Sequence, residues 1–455
     1  MTTSESDVGE RLEDAPLPPG PDGIPVAGNT VQFVRDPFEF YDGLAEYGDV
    51  VSYSVAGEEF CTLLHPDHVE QVLVTDEASF GKSEFVQDAG DFLGNGLLLS
   101  EGDHWRKQRT RMQPAFFRER IESYADGMAD FAAERAAAWD DGDTVRVLPE
   151  MKELTLAILA RSLFDEDVRG RSSAIRDATR AINDKADAGS VDAFLPDWVP
   201  TPTNRRFRRA VDDFDDVIAD LIAQRRGADA VDERDDFLAI LLTATDDDGE
   251  TMSESDLRDE LATFLFAGHE TTSVALTYAW HCLSENPDVR EKLHAELADV
   301  LGGDQPTMAD LADLEYTELV VKETLRRYPP AYVVFREARE DVEVGEYRVP
   351  AGTTLTLPQF RIHNDERWFD DPGAFRPERW TESMEESLPD YAYFPFGGGP
   401  RHCIGMRFAY AELQLVLATM AQRVTLDRVD DGPLDRRMGT TMEPEGDVEM
   451  VVTKR

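Results

Sequence analysis

Lysine is scarce in this sequence, and positive charge is far outnumbered by negative charge. The 455 residues include 46 lysines and arginines against 93 aspartates and glutamates, which gives a formal net charge of −47. Seven of these cations are lysines, at positions 82, 107, 152, 185, 292, 322 and 454. A surface this negative excludes non-specific binding to nucleic acid and disfavours docking on anionic lipid.

Long apolar runs and paired cysteines are also missing. No apolar run approaches the ~18 residues of a membrane-spanning helix, so the sequence predicts a soluble protein without a membrane anchor. Three scattered cysteines, Cys61, Cys282 and Cys403, are too few for a disulfide framework. The acidic, polar N-terminus shows no signal-peptide pattern. We therefore expect a reducing, cytoplasmic environment.

The acid excess is spread along the whole chain and is not confined to a tail. This composition resembles that of proteins from salt-accumulating archaea, which predicts a halophilic protein. Concentrated salt screens such a surface, because the Debye length is ~3 Å at 1 M and ~8 Å at 0.15 M. The alternative is an ordinary acidic cytosolic protein. The halophilic interpretation predicts that the stability of the folded protein falls in dilute buffer.

Hydrophobic residues make up 41% of the chain and aromatics 9%, which excludes wholesale disorder. Residues 1–20 are predicted to form an acidic, proline-rich tail, and residues 21–455 a single domain. The longest helical pattern covers 253–284. Strand-like patterns occur at 50–64, as a hairpin with its turn at Gly57-Glu58, and at 341–357. Further helical patterns lie at 66–75, 103–113, 118–139, 150–164, 205–226, 234–245 and 404–422. The predicted fold class is mainly α with small β-sheets.

A glycine-rich loop, F-G-G-G-P-R-H-C-I-G, occupies residues 396–405 just before the final helical pattern. Such a loop lets backbone N–H groups approach an anion, and the helix dipole favours a Cys403 thiolate. A lone cysteine is usually a small core residue, but this loop favours a metal ligand or a nucleophile. No hydrolytic dyad lies nearby, and zinc would need three or four protein ligands. A single thiolate therefore indicates a metal whose other ligands belong to a cofactor such as haem.

The run Phe396-x-x-Gly399-x-Arg401-x-Cys403-x-Gly405 resembles the haem-binding signature of the cytochrome P-450 family, the haem-thiolate monooxygenases. It matches at every defining position. The resemblance implies the cytochrome P-450 fold, a triangular prism with a long central helix over the haem. It also implies haem b as cofactor, with Cys403 as the axial iron ligand. Arg401 would then meet a haem propionate, and Phe396 would pack beside the sulfur.

A second motif, A-G-H-E-T-T, lies at 267–272 in the middle of the longest helical pattern. Glycine costs a helix interior about 1 kcal/mol relative to alanine, and threonine hydroxyls compete for backbone hydrogen bonds. We therefore expect local widening of the helix, which would open a slot for oxygen and water. The alternative is a helix crossing that needs small residues. A hydroxyl beside a carboxylate, Thr271 beside Glu270, also makes a pair suited to proton delivery.

This motif matches the acid–alcohol motif of the same family. The resemblance assigns Thr271 to oxygen activation and Glu270 to relaying protons from solvent, with Ala267 and Gly268 facing the haem and oxygen. It gives His269 no role. The intact pair favours O2 activation with two electrons over direct use of peroxide. Those electrons would come from a separate ferredoxin or flavoprotein reductase.

A Glu-x-x-Arg pair, Glu323 and Arg326, places both charges on one helix face. Such a pair is usually a weak surface interaction. In the family, the corresponding pair joins an arginine of a later loop, here Arg379, in a buried three-part lock. The resemblance implies that these residues hold the cysteine loop and do no chemistry.

Haem carries two carboxylates, so burying it demands cationic partners. Trp105-x-x-x-Arg109 resembles the family motif whose tryptophan and arginine meet the propionates. Arg336 is a further candidate. His104 precedes Trp105 by one residue, and which of the two contacts a propionate stays open.

Apolar segments at 85–99, 331–335 and 440–442 align with regions that line the substrate pocket in the family, although they also read as ordinary core. They predict an apolar small-molecule substrate of fatty acyl or isoprenoid type. Two alternatives to a monooxygenase stay open. One is a haem-thiolate isomerase or dehydratase of the same fold, and the other is a non-catalytic sensor or electron carrier. The Glu270–Thr271 pair argues against the sensor, which needs no proton delivery.

Overall fold

The computed structural model describes residues 14–164, 172–227, 236–245, 249 and 251–455. Most of the predicted tail, residues 1–13, lies outside this description. The rest of it belongs to the domain, because Ser52 donates from its N–H to the Pro19 carbonyl at 2.8 Å and from its Oγ to the Pro18 carbonyl at 2.7 Å. The domain therefore begins before residue 21.

Sixteen α-helices lie within the described residues. They are α1 Thr30–Arg35, α2 Pro37–Leu44, α3 Pro66–Glu70, α4 Glu84–Ala89, α5 Gly102–Met112, α6 Arg118–Ala138, α7 Val147–Phe164, α8 Ser172–Lys185, α9 Pro202–Gly227, α10 Phe237–Thr243, α11 Glu254–Glu285, α12 Pro287–Val300, α13 Glu315–Arg327, α14 Gln359–Ile362, α15 Glu382–Ser387 and α16 Met406–Ala421. The mainly helical prediction is confirmed.

The same residues contain twelve short strands. They are β1 Val50–Val55, β2 Glu58–Leu63, β3 Phe80–Gly81, β4 Thr144–Arg146, β5 Val333–Ala338, β6 Val342–Val344, β7 Tyr347–Val349, β8 Thr354–Pro358, β9 Val424–Arg428, β10 Arg436–Met438, β11 Met442–Pro444 and β12 Glu449–Lys454. The largest sheet has the order β1-β2-β8-β5-β3, in which β2 and β8 are parallel. The others are β4-β12-β9 and the hairpins β6-β7 and β10-β11.

The first hairpin has its turn one residue earlier than the sequence suggests. Residues 56 and 57 both have positive φ, +56° and +92°, which is the backbone that a two-residue hairpin turn of type I′ requires. The register then pairs Val55 with Glu58. The turn is therefore Ala56-Gly57 and not Gly57-Glu58.

Helix α11 is the central element of the fold. Ser253 caps its start by accepting a hydrogen bond from the Asp256 N–H at 3.1 Å, and Pro287 follows its end. The helix packs against α7, α13 and α16, and most of its residues are buried. Since α16 starts directly after the cysteine loop, this packing brings the two predicted motifs into one region.

Candidate active site

The cysteine loop, residues 396–405, packs closely against the backbone of a neighbouring segment before α16 begins. Gly399 has φ +63°, and a Cβ atom at this position would lie 1.8 Å from the backbone oxygen of Leu73. Only glycine fits such a close approach. The Cys403 N–H donates to the Phe396 carbonyl at 2.9 Å. The loop therefore closes on itself immediately before the sulfur.

Cys403 is accessible to solvent although many protein atoms surround it, whereas the other two cysteines are buried. It precedes α16, which begins at Met406 with Gly405 as its N-cap. Burial raises the pKa of the Cys403 thiol, while the Gly405 N–H and Arg109 act in the opposite direction. The Gly405 N–H and the Arg109 cation thus act to favour the thiolate, against the effect of burial. A metal cation bound at the sulfur would supply the missing stabilisation.

Three cations, Lys82, Arg336 and Arg401, gather beside this loop. Burial lowers the pKa of Arg336 to about 10, and Arg401 adds to that effect. The pKa of Lys82 is also lowered, by burial and then by the two arginines. Arg336 donates to the neighbouring Phe335 carbonyl at 2.7 Å, and within the described residues no carboxylate forms an ion pair with it or with the Lys82 ammonium group.

Buried cations that repel one another need an anion between them. The two carboxylates of a haem supply two negative charges, so the residues present fit this cofactor. Sequence reasoning missed Lys82. The scarcity of lysine in the chain was a signal that could have found it.

The ring of Trp105 lies between two arginines. The Arg401 guanidinium carbon is 4.1 Å from the ring centroid, and that of Arg109 is 5.8 Å away. Arg109 also donates to the backbone carbonyl just before the cysteine, at 2.9 Å. His104 contacts a different group, since its Nε2 lies 3.9 Å from Asp256 Oδ1. Trp105, and not His104, therefore lies with the arginines beside the cysteine loop.

Phe116 connects the cysteine loop to the middle of α11. Its Cε1 atom lies 3.8 Å from the position that a Cβ of Gly405 would take. Its ring stacks on Phe264 with 5.6 Å between the centroids. Since Phe264 is one helical turn before Ala267, the two predicted motifs share a neighbour.

The A-G-H-E-T-T segment exposes one face within a buried stretch. Ala267, Gly268 and Thr271 keep partial exposure, whereas residues 260–266 just before them are buried. Ala267 and Thr271 are four residues apart and so share a face. Gly268 has a different environment, because a Cβ atom there would lie 2.8 Å from Leu159 Cδ1 of α7. This close contact with α7 supports the helix crossing that the sequence left open as an alternative, and the place of Gly268 facing the haem stays a prediction.

The predicted widening of the helix does not occur, because α11 runs unbroken from Glu254 to Glu285. Instead, side-chain hydroxyl groups donate hydrogen bonds to the backbone carbonyls of residues 267, 268 and 269. Thr271 donates to the Ala267 carbonyl at 3.0 Å, and Thr272 and Thr155 donate to the next two carbonyls at 3.3 and 2.9 Å. The Thr271 hydroxyl must leave this bond before it can donate to any other group.

The carboxylate of Glu270 is held by neighbouring helices and is only 1% exposed. Lys152 Nζ of α7 lies 2.7 Å from its Oε1, and Asn183 Nδ2 of α8 donates to the same oxygen at 2.7 Å. Lys152 Nζ also lies 2.9 Å from Glu443 Oε2 of β11. Burial acts to lower the pKa of Lys152, but the two carboxylates outweigh it and the pKa is raised.

Sequence reasoning missed these three partners of Glu270. Asn183 and Glu443 show no local pattern, since α8 and β11 are far from α11 in sequence. Lys152 offered a signal, because the chain has few lysines and this one lies in the largely apolar sequence of α7.

The predicted three-part lock is present. Arg326 donates to both Glu323 oxygens at 2.9 Å, from Nε and from Nη2. Arg379 Nε donates to Glu323 Oε1 at 2.9 Å, and Trp380 Nε1 donates to Oε2 at 3.0 Å. All four residues are buried. A buried pair satisfied to this degree fixes geometry, whereas removal of one member strands a charge.

A chain of hydrogen bonds runs from the lock to the cysteine loop. Arg326 Nη1 donates to the His363 carbonyl at 2.9 Å. The Phe394 N–H donates to His363 Nε2 at 2.9 Å, and the Gly397 N–H donates to the Phe394 carbonyl at 2.9 Å. The lock therefore supports the loop that carries Cys403.

Comparison with known proteins decides the family. The family model described as Cytochrome P450 matches residues 18–448, nearly the whole chain. The chain belongs to the cytochrome P450 family. Family members bind haem b through a cysteine thiolate, and Cys403 is the cysteine of that signature here.

Relatives of this P450 include proteins named as oxygenases. Cyclooctatin synthase of Streptomyces melanosporofaciens is 36% identical over 406 residues, which cover 89% of this chain and 88% of that protein. Cyclooctat-9-en-7-ol 5-monooxygenase of the same species is 33% identical, covering 89% and 88%. Pentalenene oxygenase of Streptomyces avermitilis is 33% identical, covering 90% and 91%. The P450 is accordingly a monooxygenase, an oxidoreductase with haem b as cofactor.

No helix within the described residues of this P450 is long and apolar enough to cross a membrane.

Proposed function

We propose that this P450 hydroxylates an isoprenoid, with Cys403 as the iron ligand. The similarity over about nine tenths of the chain to oxygenases named for cyclooctat-9-en-7-ol and pentalenene carries this proposal. Of the two apolar substrate types that the sequence predicts, it favours the isoprenoid.

Aromatic contacts support an apolar substrate. The rings of Phe85 and Phe335 lie 6.4 Å apart, so the 85–99 segment meets the start of β5. Phe92 contacts Phe266 of α11, with 5.4 Å between the centroids. The 85–99 segment, one of the three expected to line the pocket, thus contacts both the 331–335 segment and α11.

Haem b, when bound, supplies the chemistry of oxygen activation and oxygen insertion. Cys403 Sγ would hold the iron, and Lys82, Arg336, Arg401, Arg109 and Trp105 would hold the propionates. Ala267 keeps the exposed face of α11 small, which leaves room over the site. Phe396 closes the cysteine loop through its carbonyl, and its ring packs on Tyr410 with 4.9 Å between the centroids.

Thr271 and Glu270 would take part in proton delivery. The Thr271 hydroxyl has one proton, which it donates to the Ala267 carbonyl, and its lone pairs remain free to accept. Glu270 adjoins Thr271 in sequence but is bound to Lys152 and Asn183. Proton delivery therefore requires that the carboxylate turns away from these partners.

The two electrons would come from a separate ferredoxin or flavoprotein in the cytoplasm. The charge of −47 supports the further proposal that the protein works in concentrated salt. The remaining alternatives differ in what they consume. An isomerase or dehydratase turns over without reductant, and a sensor does not turn over.

A spectral titration followed by turnover tests the function. Cyclic terpenes and fatty acids are titrated into the ferric protein, and conversion from low to high spin is recorded. We expect terpenes to give the larger conversion and, with a reductase system and O2, a hydroxylated product. Product formed without reductant, or no product from any binding compound, would contradict the proposal.

A further inference from the structure

Glu412 of α16 is a buried acid that forms no ion pair within the described residues. It is only 1% exposed, and its Oε1 atom has no hydrogen-bond partner among those residues. Burial raises the pKa of this carboxyl well above its ordinary value of 4.5, partly opposed by a hydrogen bond with the Thr272 side chain of α11. Because an isolated buried carboxylate is costly, the carboxyl is neutral at pH 7.

The direction of the hydrogen bonds at Thr272 follows from the number of protons present. The Thr272 hydroxyl has one proton, which it donates to the Gly268 carbonyl at 3.3 Å. Its oxygen therefore meets Glu412 as an acceptor, and the neutral carboxyl supplies the proton. Two hydrogen bonds thus run from Glu412 through Thr272 to the Gly268 carbonyl. An ionised Glu412 could not form this chain, because a carboxylate only accepts.

This chain of hydrogen bonds joins the two helices that adjoin or carry the predicted motifs. Helix α16 begins directly after the cysteine loop, and Thr272 is the last residue of the A-G-H-E-T-T segment in α11. Most neighbours of Glu412 in α16 are buried and apolar. Apolar helix surfaces can pack in several registers of similar free energy, whereas a buried polar pair is satisfied in one. The bond between Glu412 and Thr272 is therefore suited to select one register.

We propose that Glu412 is a positioning residue, which as a neutral acid donates to Thr272 and so fixes the register of α11 against α16. Thr271 directly precedes Thr272, and Cys403 lies three residues before the start of α16. A fixed register therefore holds the Thr271 hydroxyl at a constant position relative to the sulfur. The consequence for turnover rests on the proposed function, whereas the hydrogen bond itself does not.

Infrared spectroscopy of the resting, haem-bound protein tests the hydrogen bond without turnover. A neutral Glu412 should give the carbonyl band of a protonated carboxyl, which persists at pH 9 and disappears in Glu412→Gln. The measurement is made in a Glu260→Gln background, because burial raises the pKa of Glu260 to about 8 and that acid would add a band of its own.

Two threonine variants show whether that band reports the bond to α11. Thr272→Val removes the acceptor and should move the Glu412 band to higher wavenumber. Thr277→Val, which removes a hydroxyl further along the same helix, should leave the band in place. The absence of a band from Glu412, or a band that Thr272→Val does not move, would overturn the proposal.

Turnover tests the positioning role. Glu412→Leu has an apolar side chain of similar size, so the helices still pack but the polar bond is lost. We expect a several-fold rise in hydrogen peroxide released per product, with an unchanged Soret band. Glu412→Gln keeps an N–H donor and should restore most of the coupling. The matched control is Gln414→Leu, which removes another buried polar side chain of α16 and should keep normal coupling.

Normal coupling in Glu412→Leu would overturn the positioning role, and so would equal losses in the leucine and glutamine variants. If the wild type hydroxylates no substrate at all, the proposed function fails. The infrared result still decides in that case whether Glu412 donates to Thr272.

Discussion

Two buried charge clusters in this P450 are built in different ways. In the lock, both oxygens of Glu323 accept from charged or aromatic N–H donors, and Arg326 also donates to backbone carbonyls. In the cluster around Glu270, one carboxylate oxygen has no partner among the described residues, and the cation is shared with a second acid.

This difference separates a fully satisfied charge cluster from a partly satisfied one. A fully satisfied ionic cluster resists rearrangement, since any motion breaks several bonds at once. A partly satisfied one has alternatives close in free energy, which a proton-delivery group needs. The lock supports the cysteine loop, whereas the Glu270 cluster leaves one carboxylate oxygen without a hydrogen-bond partner among the described residues. The predictions below aim to break or sharpen this contrast.

The largest expected effect is on stability, from breaking the lock. Arg326→Met removes one of the two cations that pair with the buried Glu323 carboxylate. We therefore expect the free energy of unfolding to fall by about 3–5 kcal/mol, and haem to be retained more weakly. Denaturant unfolding of the haem-bound protein measures it. Arg118→Met removes an exposed cation that pairs with Glu122, and it should leave the unfolding midpoint unchanged. Equal midpoints for both variants would contradict the structural role of the lock.

Another buried acid, Glu260 of α11, sharpens the contrast because it forms no ion pair within the described residues. Burial raises its pKa to about 8, partly opposed by the Leu97 N–H that donates to it at 3.0 Å. Folding therefore keeps it protonated up to about pH 8, whereas in the unfolded chain it ionises near its ordinary pKa of 4.5. Its contribution to stability falls as the pH rises from about 4.5 to 8 and is level above.

Glu260→Gln should remove that part of the pH dependence, which is worth a few kcal/mol. Unfolding free energies at several pH values between 5 and 9 measure it, and Glu254→Gln at the exposed start of α11 is the control. If the wild type and Glu260→Gln have parallel pH profiles, Glu260 is ionised in the folded protein and the prediction fails.

Thr271→Ala should affect catalysis without affecting stability. Thr271 is partly exposed and makes one bond within its own helix, so its loss should change the unfolding free energy little. We expect roughly a tenfold drop in product formed per electron consumed, about 1.4 kcal/mol, with more hydrogen peroxide released. Thr277→Ala, which removes a similar hydroxyl further along α11, should keep normal coupling. Unchanged coupling in Thr271→Ala would exclude a proton-delivery role.

The smallest effect concerns the surface, where neither buried cluster contributes. Salt screens exposed charges far more than buried ones, so a rise from 0.15 to 1 M salt should raise the melting temperature by some degrees. Arg326→Met should start from a lower melting temperature and show the same salt-induced rise. A melting temperature independent of salt would argue against adaptation to concentrated salt.

The parts of the site that follow from local spacing could be predicted from the sequence. The cysteine loop, Glu323 with Arg326, and the limits of α11 each depend on residues close together in the chain. The partners of Glu270 could not be predicted, because Lys152, Asn183 and Glu443 come from three distant elements that only the packing brings together. The contact of Gly268 with α7 could not be predicted for the same reason, since its neighbour Leu159 is distant in the chain. The burial that opposes a thiolate at Cys403 is likewise not visible in a motif.

The most direct test of the account is the visible spectrum of the reduced protein with carbon monoxide bound. If Cys403 provides a thiolate to the iron, the wild type shows its Soret band at the long-wavelength position from which the family takes its name, and Cys403→His loses that band. A long-wavelength band that survives in Cys403→His, or a wild-type protein that takes up no haem, would contradict the account.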